Sequence, residues 1–357
     1  VSKQQPHFYL PLIWEEITDS TQFHGWDFLR PLIGRKVFWA SVDWVNCRSK
    51  NLPPGYSAYV VKTEGPNVEW VEQQARLVDA PIFYCCLPKG YGIFDSLPTV
   101  HFVPVIEWHY QLKAMAEFYG PVVNKNIQHK VSALCHRGTQ SKIAVLAALD
   151  RHLGLDQCLV SLHTVRDDEV HYWEPTKNST VDQHTLHFLN KFSKTNIAID
   201  QFENRDATQV HDFHHAAYQH SALNINNESF HYSLMYINGV ERTNPGPFIT
   251  EKTLKCLLGE TAFIHNGQFD VYATLSSLGF KFDYGLDLGY DQDSGNITRL
   301  AGVLDVVKQL QPYSAQDLYQ QTRHSCLHNK EHVMSGSFYQ QAQAVNDQAI
   351  ETILEKL

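Results

Sequence analysis

Thr250, Glu251 and Lys252 stand in a row within FITEKTLKCLLGETAFIHNGQ, the stretch from Phe248 to Gln268. Apolar positions at helical spacing follow them, then Gly259, then the strand-like TAFIH. Thr is a good helix N-cap, and an acid in the first turn suits the positive end of the helix dipole. A capped helix alone accounts for that much. The surroundings add chemistry. Pro245, Gly246 and Pro247 stiffen the approach to the helix. A helix start offers free N–H groups to an anion. Lys252 adds a mobile cation for phosphate, and Glu251 adds two acceptors for a ribose diol. Together they suit a nucleoside diphosphate sugar. One group grips sugar hydroxyls; the other neutralises charge building on a leaving diphosphate.

Metal chemistry has weaker candidates. His211, His214 and His215 in HDFHH could share one helical face. Zinc takes three or four ligands, and nothing nearby completes a set, so these read as surface histidines. The DQD at 291–293 lies in a Gly-rich loop and reads as solvated. No metal or other cofactor is expected.

The elements that must position these residues alternate. HFYLPLIW, KVFWASVDWV, SAYVVKTE, PIFYCCLP and TVHFVPVIEW read as strands, short and rich in aromatic and β-branched residues. NVEWVEQQARLV and WHYQLKAMAEFYG have helical spacing, the latter closing on Gly120. GPVVNKN reads as a linker, after which HKVSALCH, SKIAVLAALDRHLG and CLVSLH repeat the strand–helix–strand pattern. Residues 164–228 are polar and resist assignment. Beyond them come a strand at 230–237, a helix at 250–258, a strand at 261–265 and a helix at 268–278. Such alternation predicts an α/β protein whose second half is a doubly wound sheet. At ~150 residues per domain, 357 residues make two, here 1–125 and 126–357. The last helix, SFYQQAQAVNDQAIETILEKL, is a candidate to pack back on the first domain.

Composition narrows the partners. Net charge is −9, against a general nucleic-acid binder. Residues 1–125 hold 11 Lys+Arg against 12 Asp+Glu and are nearly neutral; the remainder carries most of the negative charge. Arg30, Arg35, Lys36, Arg48 and Lys50 cluster around Trp39 and Trp44, with Asp43 the one acid among them. One reading is an aromatic core with a solvated basic rim. The other is an acceptor surface, built on Trp39, Trp44, Arg35 and Lys36, for a sugar face or a base. Seven scattered Cys, mostly in apolar contexts and without CxxC spacing, suggest reduced thiols and a cytoplasmic setting. No run of ~18 apolar residues and no signal peptide is visible, so no membrane span is expected.

The segment FITEKTLKCLLGETAFIHNGQFDVYATLSSLGFKFD resembles the donor site of α1,3-fucosyltransferases and of a broader group of viral and bacterial glycosyltransferases. Phe248, Ile249, Thr250, Glu251 and Lys252 match the shared pattern position by position. LGFKFDYGLDLGYDQ with Arg299, and CHRGTQSKIAVLAALDRHLGLDQCLVSLH, resemble the viral and bacterial branch. The likeness spans roughly 131–310, with 164–228 unmatched. It implies a GT-B fold: two Rossmann-like domains facing a cleft, the second binding the nucleotide sugar and the first the acceptor. By that resemblance Glu251 holds the ribose, Lys252 the diphosphate, and Phe248 packs on the nucleoside. Arg137 and Lys142 are matching basic positions. Where fucosyltransferases carry a Glu-Asn pair, GVERTNPG offers Glu241 and Arg242, and Arg242 becomes a further phosphate candidate.

An inverting transfer needs a general base from the first domain. Asp43 ranks first, with Glu15, Glu16 and Glu107 also at strand ends. The implied enzyme moves a sugar to a hydroxyl of a saccharide or of a hydroxymethylated pyrimidine in phage DNA. The alternative is a non-catalytic nucleotide- or sugar-binding module.

Overall fold

The computed structural model describes residues 12–42, 49–63, 68–86, 94, 96–120, 122–137, 140–164, 212–228, 234–237, 240–243 and 246–357. The chain divides into two units. One comprises Val1–Ala114, Tyr232–Phe248 and Ser335–Leu357; the other comprises Met115–His231 and Ile249–Met334. The division therefore precedes GPVVNKN, and two later segments belong with the first unit.

In the first unit, β1 (Ile13–Glu16), β2 (Val37–Val42), β3 (Ala58–Thr63), β4 (Ile82–Cys86) and β5 (Val100–Pro104) form one sheet in that order. Strands β2 to β5 are parallel, and β1 is an antiparallel edge. β2 reads VFWASV and buries all of its residues. An unbroken buried run is what a strand covered on both faces requires. Val37 and Trp39 enter one core with Val60, Phe83 and Val103. Phe38, Ala40 and Val42 enter the other with Tyr59, Val61 and Tyr84.

Parallel strands laid side by side in chain order have right-handed crossovers on one face only. That face receives α1 (Val68–Ala75) through Val68, Trp70 and Val71, and the connections bearing Leu52 and Phe94. The opposite face is closed differently. It takes Leu29 and Leu32 from a 3-10 stretch and Ala349, Ile350 and Ile353 from the helix Ser337–Glu355. Asn346 of that helix accepts from Ile106 N (2.9 Å) and donates to Ile106 O (3.1 Å), fixing the loop after β5.

The chain continues through α2 (Trp108–Tyr119), within which the unit division falls, to β6 (His129–Arg137), α3 (Gln140–His152) and β7 (Cys158–Thr164). The short α4 (Ala216–Gln219) leads into β8 (Ser221–Asn227). β9 (Leu234–Ile237) and β10 (Val240–Thr243) form an antiparallel pair in the first unit. Then come α5 (Glu251–Leu258), β11 (Ala262–Asn266), α6 (Val271–Ser277), α7 (Asn296–Gln309), α8 (Ala315–Met334) and α9 (Ser337–Glu355). The second sheet is parallel with order β11-β8-β6-β7. Its first strand lies inside, so the order reverses, and helices fall on both faces: α7 packs on α3 and α8 on α5. A reversal of this kind opens a crevice at the carboxyl ends of the two strands that flank it, here β6 and β8.

One expectation fails at this level. The strand feeding α5 in the sheet is β8, at 221–227, and not 230–237. SALNINN hides its nature because Asn is uncommon in strands. All seven residues are nevertheless buried. The asparagines are bonded: Asn224 to Ser132 Oγ (2.7 Å), Asn226 to Thr253 Oγ1 (3.1 Å) and Asn227 to Cys135 Sγ (3.3 Å).

Because α9 completes the first core, Ile353→Ala is expected to destabilise the protein by roughly 2–5 kcal/mol, the range for a large-to-small core change. Denaturant unfolding measures it; a loss within error of zero would mean that α9 contributes no core to that sheet.

Candidate functional site

β8 ends at Asn227, and Glu228 follows with its backbone N–H still bonded to Asn266 O of β11 (3.0 Å). The Glu228 side chain is fully buried. The Thr250 hydroxyl is shared between its two oxygens (2.7 and 2.8 Å). Lys252 Nζ lies 3.3 Å from Glu228 Oε2 and 3.1 Å from Glu251 Oε1. Thr250 also caps α5, its Oγ1 accepting from Lys252 N (3.3 Å). One turn on, Thr253 and Cys256 (Sγ to Asn226 Oδ1, 3.4 Å) bond to the same strand. A row of polar bonds thus fixes the start of α5 against the carboxyl end of β8.

The charges in this cluster act strongly on one another. Burial pushes the Glu228 carboxyl above its usual range, more than the Lys252 ammonium pulls it down. Glu251 is partly exposed; desolvation pushes its carboxyl up, but Lys252 and Lys255 outweigh that and hold it down at about 2. For Lys252, burial favours loss of the proton, and the two carboxylates overcome it, so its pKa is raised. Lys142 of α3 is buried, and its charge and that of Lys252 both act on Cys135 of β6, whose thiol burial still pushes up to about 11. Lys142 and Lys252 thus both lie within electrostatic reach of Cys135 on β6. β6 ends at Arg137, whose side chain lies outside the described residues, as does that of Arg242 on β10. Phe248 is half-buried and ends a segment of the first unit.

Glu228 was not singled out from the sequence. An acid directly after the strand that feeds α5 was the available signal, masked by the polar look of β8. The neighbouring amides were missed with it: Asn266 donates to Asn227 Oδ1 (2.7 Å), while Asn266 Oδ1 is buried without a hydrogen-bond partner among the described residues. Gly267 passes so close that a Cβ there would lie 3.1 Å from Glu228 Cβ and run into His265. Glycine alone fits that approach.

In the first unit the candidates separate. Asp43 and Trp44 lie outside the described residues. Glu107 follows the carboxyl end of β5 and forms an ion pair with Lys62 near the carboxyl end of β3. Glu15 and Glu16 are not at that end of the sheet. β1 runs against β2, which sets Glu15 opposite Trp39 and Glu16 opposite Phe38, near the amino end of β2. Arg35 and Lys36 are exposed just before β2, so they too lie at the amino end. Trp39 is fully buried, its ring stacked 6.1 Å from Phe23 and tilted against Trp26 at 5.8 Å. It presents no face to an acceptor; the core claims it because β2 is covered on both sides.

One other expectation needs correcting. Asp291 of the DQD is buried rather than solvated, and its Oδ2 accepts from Tyr272 N at the start of α6 (2.8 Å). Arg299 is buried as well, donating to Gly267 O (2.8 Å) and Asp293 O (2.9 Å), so it braces the loops after β11 and before α7. His211 lies outside the described residues; His214 bonds Gly120 O (3.1 Å), and His215 accepts from Ala217 N at the start of α4 (3.2 Å). Among the described residues no group of three or more His, Cys, Asp or Glu is placed to hold a metal, and no helix is long and apolar enough to cross a membrane.

No protein-family model matches the chain, and no curated protein matches it either.

Burial pushes the Asp291 carboxyl up to about 7, against the backbone N–H groups of Tyr272 and Val271, which lower it. The folded protein then holds a proton that the unfolded chain, with an ordinary value of 3.8, has lost. Stability from this group is full below about pH 4 and declines until about pH 7. Asp291→Asn keeps an acceptor and removes the charge. It is expected to gain roughly 1–3 kcal/mol on wild type between about pH 5 and pH 8. Urea unfolding at the two pH values measures the difference; parallel curves would show that Asp291 ionises normally.

Proposed function

We propose that this chain is a nucleotide-sugar-dependent glycosyltransferase of GT-B type, with the donor on the second unit and the acceptor on the first. The observation that carries the reading is the Glu228–Thr250–Lys252–Glu251 cluster, built on the buried Glu228, at the start of α5 beside the reversal point of a parallel sheet. A structural cap needs only Thr250. A half-buried cation held between two carboxylates, at a helix start and at the end of the sheet where ligands bind, suits a diphosphate with a ribose beside it. The resemblance of FITEK to donor-site segments points the same way.

In this reading Lys252 and the α5 N–H groups take the diphosphate. Glu251 takes the ribose diol. Lys142 and Arg137 lend further positive charge, which a departing nucleoside diphosphate needs in the transition state. For the base, Asp43 and Glu107 are favoured over Glu15 and Glu16, since they follow carboxyl ends of parallel strands. A saccharide or lipid-linked glycan is favoured over DNA as acceptor. Trp39 is buried, Arg35 and Lys36 lie at the amino end of β2, and the chain carries −9 overall.

Incubation with a panel of nucleotide sugars, scoring slow hydrolysis, tests the enzyme reading. Binding without any turnover would favour the nucleotide-binding module instead. Lys252→Ala is expected to weaken nucleoside diphosphate binding by roughly 1.5–3 kcal/mol, the worth of a charge-assisted hydrogen bond. Calorimetry giving unchanged affinity would remove Lys252 from the donor site. Because side chains and a helix end carry the neutralising charge, turnover is expected to persist in EDTA. Abolition with rescue by manganese or magnesium would assign that role to a metal.

A further inference from the structure

Two carboxylates, Glu228 and Glu251, share one ammonium, that of Lys252. Among the described residues Lys252 is the only cation within ion-pair distance of Glu228. The other groups that face Glu228 or feel its charge come from every side. They are Thr250 and Glu251 of the α5 start, Tyr218 of α4, and Gly267 just after β11, against which His265 packs. Cys135 on β6 feels Lys252 and Lys142. Lys255 sits over the Tyr218 ring at 4.9 Å, and its charge acts on Glu251. None of these replaces Lys252 at Glu228.

A nucleoside diphosphate arriving at this helix start brings at least two negative charges to a cluster that is already net negative. Of the two carboxylate contacts of Lys252, the one to Glu228 is the longer (3.3 Å against 3.1 Å to Glu251), so a pull from phosphates on the exposed side of the ammonium acts first on Glu228. A buried carboxylate stripped of its cation is strongly disfavoured, and taking a proton removes the charge. Glu251 is partly exposed and keeps Lys255 nearby, whereas Glu228 is sealed from solvent. Protonated, Glu228 still accepts the Thr250 hydroxyl, so the cap survives.

Resting on the nucleotide reading above, we propose that binding of a nucleoside diphosphate draws Lys252 off Glu228, and that Glu228 then takes up one proton from solvent. Glu228 is thus a positioning residue that holds Lys252 ready and releases it on protonation. Burial already pushes its carboxyl upward, in the direction the step requires.

Calorimetric titration of the full chain with GDP, UDP, ADP, CDP and dTDP, in HEPES and in Tris at about pH 8, reads the proton directly. A terminal phosphate loses its last proton near pH 6, so the free ligand has none to give there. The buffer dependence of the heat is expected to report close to one proton taken up per nucleotide bound. Affinity should weaken toward tenfold per pH unit above about pH 8. Glu228→Gln mimics the protonated carboxyl. It should bind at least as tightly at about pH 8, with no uptake and a flat pH profile. Measurable binding by wild type without proton exchange would overturn the proposal, and so would uptake that persists in Glu228→Gln. If that variant fails to fold, the wild-type measurement decides alone. Failure of every nucleotide to bind would sink the nucleotide reading itself, and this inference with it.

Discussion

A parallel sheet has to be covered on both faces, and strand order decides what is available to cover it. In the first unit β2 to β5 run in chain order, so their connections all land on one side. The other side has no crossover of its own. It is filled by Leu29 and Leu32 and by three apolar residues of α9. In the second unit the order turns back on itself, and each face receives helices from the chain between its strands. The same reversal leaves a crevice at β6 and β8. One rule about covering therefore accounts both for a distant helix in the first core and for where the second unit gathers its polar groups.

Those polar groups contribute little to net stability. Desolvation of Glu228 and Lys252 offsets most of their attraction, although removing one partner alone leaves a buried charge at high cost. What the cluster supplies is placement. Thr250, Thr253 and Cys256 all bond to residues of β8 or directly after it, so the rotation and start of α5 are both fixed. A purely apolar contact between helix and strand would tolerate sliding that this set of directional bonds does not.

The sequence made the apolar parts of this architecture legible. VFWASV and AYVV are strands because branched and aromatic residues fill both cores, and Thr250 caps a helix as its type suggests. The polar interior was illegible. β8 carries three asparagines whose bonds are made to Ser132, Thr253 and Cys135, residues that no local pattern connects to it. Glu228 and the burial of Asp291 went unseen for the same reason. Strand direction is also absent from local pattern: Glu15 and Glu16 end a strand, but β1 runs antiparallel, so that end lies where the parallel strands begin. Trp39 shows a third limit, since a tryptophan among basic residues looks the same whether it faces solvent or the core.

The contribution of α9 to the first core bears on how the protein is made. Ile13 and Ile350 lie in one cluster, yet the ribosome joins them more than 300 residues apart. At synthesis rates of ~5–20 residues per second, tens of seconds pass between the emergence of the sheet and that of its cover. Through that interval the core of Val37, Trp39, Val60 and Phe83 has its early cover from Phe23, Trp26, Leu29 and Leu32 but lacks Ala349, Ile350 and Ile353. The second unit, whose residues are all made before α9, can close first. The nascent chain thus carries an incompletely covered apolar face for most of its time on the ribosome, a surface that suits a chaperone which binds early and lets go late.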